Sequence, residues 1–142
     1  MRRSTTNICE ISFPAMSENE AFARMAASAF VMPGNPTLEE LSDIKTAISE
    51  AVTNAVIHGY REQEGMITLE AAIEENVLSV TVSDEGVGIA DIEKAMEPMY
   101  TTIPEERSGM GFSFMEAFMD RIEVISALGK GTSVTMRKKI GR

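Results

Sequence analysis

Residues 66–84, MITLEAAIEENVLSVTVSD, constrain the fold more than any other stretch of the chain. Ile67, Leu69, Ala71 and Ile73 share one phase of a two-residue alternation, and Leu78, Val80 and Val82 share the next. Successive strand side chains point to opposite faces, so each run buries one face only. Glu75-Asn76 between them reads as a two-residue turn, which makes the pair an antiparallel hairpin. The inward phase does not end on an apolar residue. It continues into Asp84, whose carboxylate is thereby aimed at the covered side of the sheet.

A sheet with one apolar face needs amphipathic helices to cover it. Thr37 and Glu40 form a capping box, and Leu41, Ile44, Ile48, Val52 and Ala55 follow at steps of three and four. Gly59 reads as the glycine stop of this helix. Ser17 with Glu20 reads as a second capping box, before a helix whose apolar stripe is Phe22, Met25, Ala26, Ala29 and Phe30; Arg24 falls on the far side of that helix from Phe22, and PGNP at 33–36 ends it. Residues 7–13 read as an edge strand, 91–97 as a short helix stopped by Pro98, and 98–108 as irregular. Residues 110–119 read as a helix striped by Phe112, Met115 and Met119. Strands at about 121–126 and 132–139 flank the turn ALGKG. Met25, Met115 and Met119 are expected to fill core. The order of elements predicts an α+β fold, a two-layer sandwich of helices on one face of a mainly antiparallel sheet. At 142 residues the chain reads as a single domain, 1–142, burying roughly two thirds of its unfolded surface.

Composition removes several classes of function. No apolar run approaches the roughly 18 residues that span a bilayer, and the arginines in MRRSTTNICE have no apolar segment behind them, so neither a membrane span nor a signal peptide is expected. Cys9 and His58 are the only residues of their types, which leaves no Cys/His metal cluster. A cytoplasmic location is expected. The net charge of -9 is uneven: residues 38–97 hold fourteen acids against Lys45, Arg61 and Lys94, while Arg137, Lys138, Lys139 and Arg142 close the chain. An acidic body disfavours nucleic acid, whose phosphates need a basic face, and suits a basic protein partner or simple solubility.

Three short motifs carry the chemistry. The first is the row Glu50, Asn54, His58 at i, i+4 and i+8 on the main helix, drifting from the polar side toward the apolar edge. It is either a solvated face or a carboxylate base, a carboxamide ligand for Mg²⁺ and a supporting imidazole. The second is DEGVG at 84–88. Gly86 and Gly88 permit a sharp turn and close approach of a flat ligand, unless the segment only ends a strand. The third is RSGMG at 107–111, where glycines opening a helix expose backbone N–H groups to an anion, with Arg107 and Ser108 as further donors.

Taken in order, EAVTNAVIH at 50–58, DEGVGI at 84–89 and SGMGF at 108–112 resemble the nucleotide-binding boxes of the GHKL superfamily of ATPases and kinases, which includes DNA gyrase and the bacterial histidine kinases. The chain resembles most closely the serine protein kinases of that group that act as anti-sigma factors in sporulating bacteria. The resemblance implies the Bergerat ATP-binding fold, ATP or ADP with Mg²⁺ as ligands, and transfer to a serine of an anti-anti-sigma factor. It also implies a homodimer that sequesters a sigma factor. Carried over by residue, Glu50 is the general base, Asn54 the Mg²⁺ ligand and Asp84 the reader of the adenine amine. Gly86, Gly88 and Thr132 shape the adenine pocket, and His58 supports it. Thr102 belongs to the ATP lid at about 98–108, Arg107 lies near the terminal phosphates, and Ser108, Gly109, Met110 and Gly111 cradle them. Arg24 is a partner contact. The lid reads TTIP at 101–104 where related proteins often read TTKP. Two alternatives share these motifs: a non-catalytic, nucleotide-dependent sigma-binding module, and a stand-alone histidine-kinase-like catalytic domain.

Overall fold

The computed structural model describes residues 6–61, 63–89 and 112–141. Five antiparallel strands form one sheet: β1 (Asn7–Pro14), β2 (Met66–Glu74), β3 (Val77–Asp84), β4 (Arg121–Ala127) and β5 (Gly131–Lys139). Their order is β1-β2-β3-β5-β4, so the hairpin β2–β3 lies at the centre and β1 takes the expected edge. At Glu75 and Asn76 φ is 50° and 70°, the two left-handed residues of a hairpin turn of the primed type. That turn fixes the register at Ile67–Asp84, Leu69–Val82, Ala71–Val80 and Ile73–Leu78.

One sheet face is apolar and, among the described residues, is covered by three helices, α1 (Asn19–Val31), α2 (Leu38–Asn54) and α3 (Phe112–Phe118). Ile67, Leu69, Leu78, Val80 and Met136 are almost fully buried beneath Ile44, Ile48, Val52 and Met115. Each such side chain stabilises the fold by about 1.5–3 kcal/mol relative to exposure. The opposite face is polar. There Ser12 pairs with Thr68 at 3.1 Å, Thr81 with Thr135 at 2.9 Å and Ser83 with Ser133 at 2.9 Å. The α+β sandwich with helices on one face is therefore the observed architecture.

Helix α2 begins as its sequence reads. Glu40 N–H donates to the Thr37 hydroxyl at 3.0 Å, and Thr37 N–H donates to the Glu40 carboxylate at 2.9 Å. The stripe Ile44, Ile48, Val52, Ala55 is buried, with Leu41 at its margin, and Phe112, Met115 and Met119 form the expected apolar stripe at α3.

Helix α1 differs from expectation on two counts. No side chain caps its N-terminus, and Glu20 turns instead to Arg24 and to Ser49 of α2. Its buried face is Ala23, Ala27, Ser28 and Val31, while Phe22 and Met25 are 52% and 60% exposed. Met25 is thus a surface residue, not core filling. The reason is packing: the small side chains of Ala23 and Ala27 let α1 approach α2 closely, and that contact outweighs the larger apolar stripe. Phe22 meets the edge of Phe13 at 6.1 Å instead. Arg24, on the side of α1 away from Phe22 as expected, faces α2 and is half-buried.

The helix anticipated at 91–97 lies outside the described residues. Among those described, no helix is long and apolar enough to cross a membrane.

Candidate functional site

Helix α2 does not end at Gly59 by a left-handed glycine. After Asn54 the backbone widens into a π-helical turn, Ala55–Gly59, closed by Tyr60 N–H donating to Ala55 O at 2.9 Å. Gly59 is not in the left-handed region. The wide turn packs onto β3 and β5 and carries its side chains inward. Glu50 is half-buried, whereas Asn54 and His58 are only 8% and 4% exposed. The row therefore runs from the rim into the interior, where regular α geometry predicts a boundary position throughout. No buried polar side-chain atom among the described residues lacks a hydrogen-bond partner, so His58 is a satisfied group with little surface left for a ligand.

Above Glu50 lies a small polar cluster joining α1 to α2. Arg24 pairs with Glu20, Ser49 donates its hydroxyl to the same Glu20 carboxylate, and Arg24 Nη1 reaches Ser49 Oγ at 3.2 Å. Burial raises the Glu50 carboxyl above its ordinary range, and the neighbouring Glu20 charge raises it further. A carboxylate so placed holds a proton more readily than a solvated one.

Asp84 sits at the end of β3, in one cross-strand row with Thr132 of β5 and Ser126 of β4. Burial raises its carboxyl too, while the backbone N–H groups of Gly86 and Thr132 pull it back down. The Gly86 bond measures 2.8 Å. The glycines around it let other protein atoms come close. A Cβ on Gly86 would stand 2.0 Å from Gly59 O, and one on Gly59 would stand 2.9 Å from all three carboxyl atoms of Asp84. Gly88 has a φ of 78° that side chains rarely adopt, and its chain runs against Ala127 O. Val87 N–H donates to Gly59 O at 2.9 Å, and Val87 O accepts from Gly129 N–H at 2.7 Å. Tyr60 closes the outer side: its hydroxyl accepts from Glu85 N–H and donates to Met66 O, both at 2.7 Å. The result is a rigid turn presenting Asp84 beside Thr132.

The fold thus brings Asp84, Gly86, Gly88 and Thr132 together, with the π turn of α2 against them and Glu50 and Asn54 farther up that helix. Arg24 joins the cluster beside Glu50. Thr102, Arg107, Ser108, Gly109, Met110 and Gly111 lie outside the described residues. Sequence reasoning missed Glu20, Ser49, Gly59's contact with Asp84, Tyr60 and Ser126. Only Ser126 left a usable trace, because the turn ALGKG places it directly across from Thr132.

The profile of the histidine kinase-like ATPase domain matches residues 13–138. The chain belongs to the histidine kinase-like ATPase family. Within it, the chain is 56% identical over 134 residues to an anti-sigma F factor of Clostridium acetobutylicum, covering 94% of each chain. It is 55% identical over 137 residues to an anti-sigma F factor of a Thermoanaerobacter species, covering 96% of each. The solved structure of the RsbU and RsbW domains of a Mycobacterium tuberculosis protein superposes with a TM-score of 0.70 at 22% identity, over 96% of this chain and 33% of that one. The catalytic domain of the histidine kinase ThkA superposes with a TM-score of 0.59 at 15% identity, over 94% and 96%. These two structures share the fold of the histidine kinase-like ATPases with the present sheet and helices.

Proposed function

We propose that the chain is an ATP-dependent protein-serine kinase that also acts as an anti-sigma factor. It would sequester a sigma factor and phosphorylate a serine of that factor's antagonist, as a cytoplasmic homodimer in which each chain is a single domain. The observation that carries the catalytic part is Glu50: a half-buried carboxylate, its proton affinity raised, one helical turn from the buried carboxamide of Asn54. A module that only bound nucleotide would gain nothing from a carboxylate there, since burying one costs free energy. The anti-sigma part is supported by relatives of that name at 53–56% identity and by an acidic body suited to a basic protein partner.

In this reading Asp84 accepts the amino group of the adenine base, with Thr132 beside it and the Gly86–Gly88 turn forming the floor. Asn54 offers a hard carboxamide oxygen. Among the described residues no group of three His, Cys, Asp or Glu could hold a metal, and Asn54 is the residue that would hold magnesium, as one oxygen ligand. Magnesium bound there would neutralise charge on the phosphates. Glu50 accepts the proton of the attacking serine hydroxyl as its oxygen bonds to the terminal phosphorus and the nucleoside diphosphate leaves. Arg107 and the amide groups of 109–111 are assigned to the phosphates, His58 to support of the turn, and Thr102 to the lid. Arg24, on α1, is the partner contact.

The test is incubation with terminally labelled ATP, magnesium and candidate antagonists. Label is expected on a partner serine; label on histidine, or hydrolysis alone, refutes the kinase assignment. Glu50→Gln is expected to bind ATP within about threefold of the wild type while transfer falls by about 10²–10⁴. Unchanged transfer by that variant removes Glu50 as the base.

A further inference from the structure

Ser126 belongs to no motif, yet its hydroxyl has a complete set of neighbours. Ile89 N–H lies 2.7 Å from Ser126 Oγ, Gly131 O at 2.9 Å and Thr132 Oγ1 at 2.8 Å. A hydroxyl has one proton to give and two lone pairs to receive with. Ile89 N–H can only donate and Gly131 O can only accept. Ser126 therefore gives its proton to Gly131 O, and the contact with Thr132 must run the other way, from the Thr132 hydroxyl to Ser126 Oγ. The reverse assignment would leave Ser126 Oγ facing the Gly131 carbonyl at 2.9 Å, oxygen against oxygen with no proton between.

The consequence reaches the site because Ser126, Thr132 and Asp84 stand in one row across three strands. With its proton committed to Ser126, Thr132 keeps only lone pairs for whatever enters beside Asp84. An ionised Asp84 likewise only accepts. We propose that Ser126 is a positioning residue for base selection: by taking the proton of Thr132 it leaves the edge of the pocket lined by acceptors alone. Such an edge welcomes a 6-amino purine and sets lone pairs against the oxygen of a 6-oxo purine. The proposal rests on the reading of Asp84 as the group that faces the base, and adds the residue that sets the polarity of its neighbour.

ATP and inosine triphosphate differ at position 6 and serve as probes. Dissociation constants of both are measured by calorimetry for the full chain, for Ser126→Ala, and for Ser126→Cys as a variant closer in size. In Ser126→Ala the Thr132 hydroxyl is free to donate into the pocket, so the preference for ATP over inosine triphosphate is expected to fall about tenfold, and in the same direction for Ser126→Cys. In a Thr132→Val background, Ser126→Ala is expected to leave the preference unchanged, because the effect passes through Thr132. Equal weakening of both nucleotides, as a purely structural role would give, overturns the role of Ser126 alone. A wild type without preference for ATP overturns the reading of Asp84 and this proposal together.

Discussion

Gly59→Ala separates two reasons for a glycine at the end of the EAVTNAVIHG segment. The backbone there is not left-handed, so an alanine strains nothing in φ. In a helical turn the change should stabilise by up to about 1 kcal/mol, through helix propensity and a less flexible unfolded chain. Against this stands the new Cβ, 2.9 Å from Asp84 Cγ, Oδ1 and Oδ2, where ordinary contact begins at 3.4 Å. The carboxylate must yield by about 0.5 Å, which stretches its 2.8 Å bond from Gly86 N–H past the usual limit of about 3.2 Å. A hydrogen bond to a charged group contributes about 1.5–3 kcal/mol. Crowding at such a site costs a similar amount, about 1–3 kcal/mol. The apo protein is therefore expected to melt several degrees below the wild type, because a gain of up to about 1 kcal/mol does not offset a lost bond of about 1.5–3 kcal/mol together with the crowding. ATP should also bind about 10- to 100-fold more weakly, since Asp84 no longer stands where a base would meet it. Calorimetric titration and thermal melts of the same samples separate the two effects. A variant that melts higher and binds ATP as tightly as the wild type refutes the idea that Gly59 exists to make room for Asp84.

Two further outcomes follow from the raised carboxyl groups. Because the folded-state pKa of Asp84 lies above its ordinary 3.8, its contribution to stability is present below that value and is lost as pH rises through the folded pKa. At neutral pH the charged group thus works against the apo fold. Asp84→Asn should melt above the wild type near neutrality, with a gap that shrinks toward pH 4, while ATP binding falls; a gap independent of pH contradicts this. For Glu50 the second cause of elevation is the Glu20 charge. Glu20→Gln should therefore move the acidic limb of the transfer-rate profile to lower pH without reaching the position of a solvated glutamate, since burial remains. An unmoved limb shows that Glu20 does not act on Glu50.

Local rules were enough for the β2–β3 hairpin and for the start of α2. Alternation in residues 67–82, a two-residue turn and a capping box at Thr37–Glu40 each act within a few residues, so strand phase, register and helix start were readable along the chain. The inward aim of Asp84 came from the same alternation, and the match to the histidine kinase-like ATPases agrees with the α+β fold read from it. Helix α1 was misread because the choice of buried face is made by a neighbour: Ala23 and Ala27 are unremarkable alone and become the contact face only when α2 lies against them. The same holds for Glu20, drawn from capping its own helix to an arginine and a serine.

At the site, residue types and order were legible, but their depth was not. The π turn at Ala55–Gly59 carries Asn54 and His58 inward, and no sequence signal distinguishes it from a continuing α-helix. Gly59 reads as a helix stop, yet its lack of a side chain serves the carboxylate of a strand 25 residues away. Ser126 gains its role from three partners that only strand pairing brings within 3 Å. Periodicity and capping depend on neighbours along the chain and can be read from it. Which face is buried, how deep a polar group lies and where a hydroxyl proton points depend on neighbours in space, and those exist only once the sheet and helices have packed.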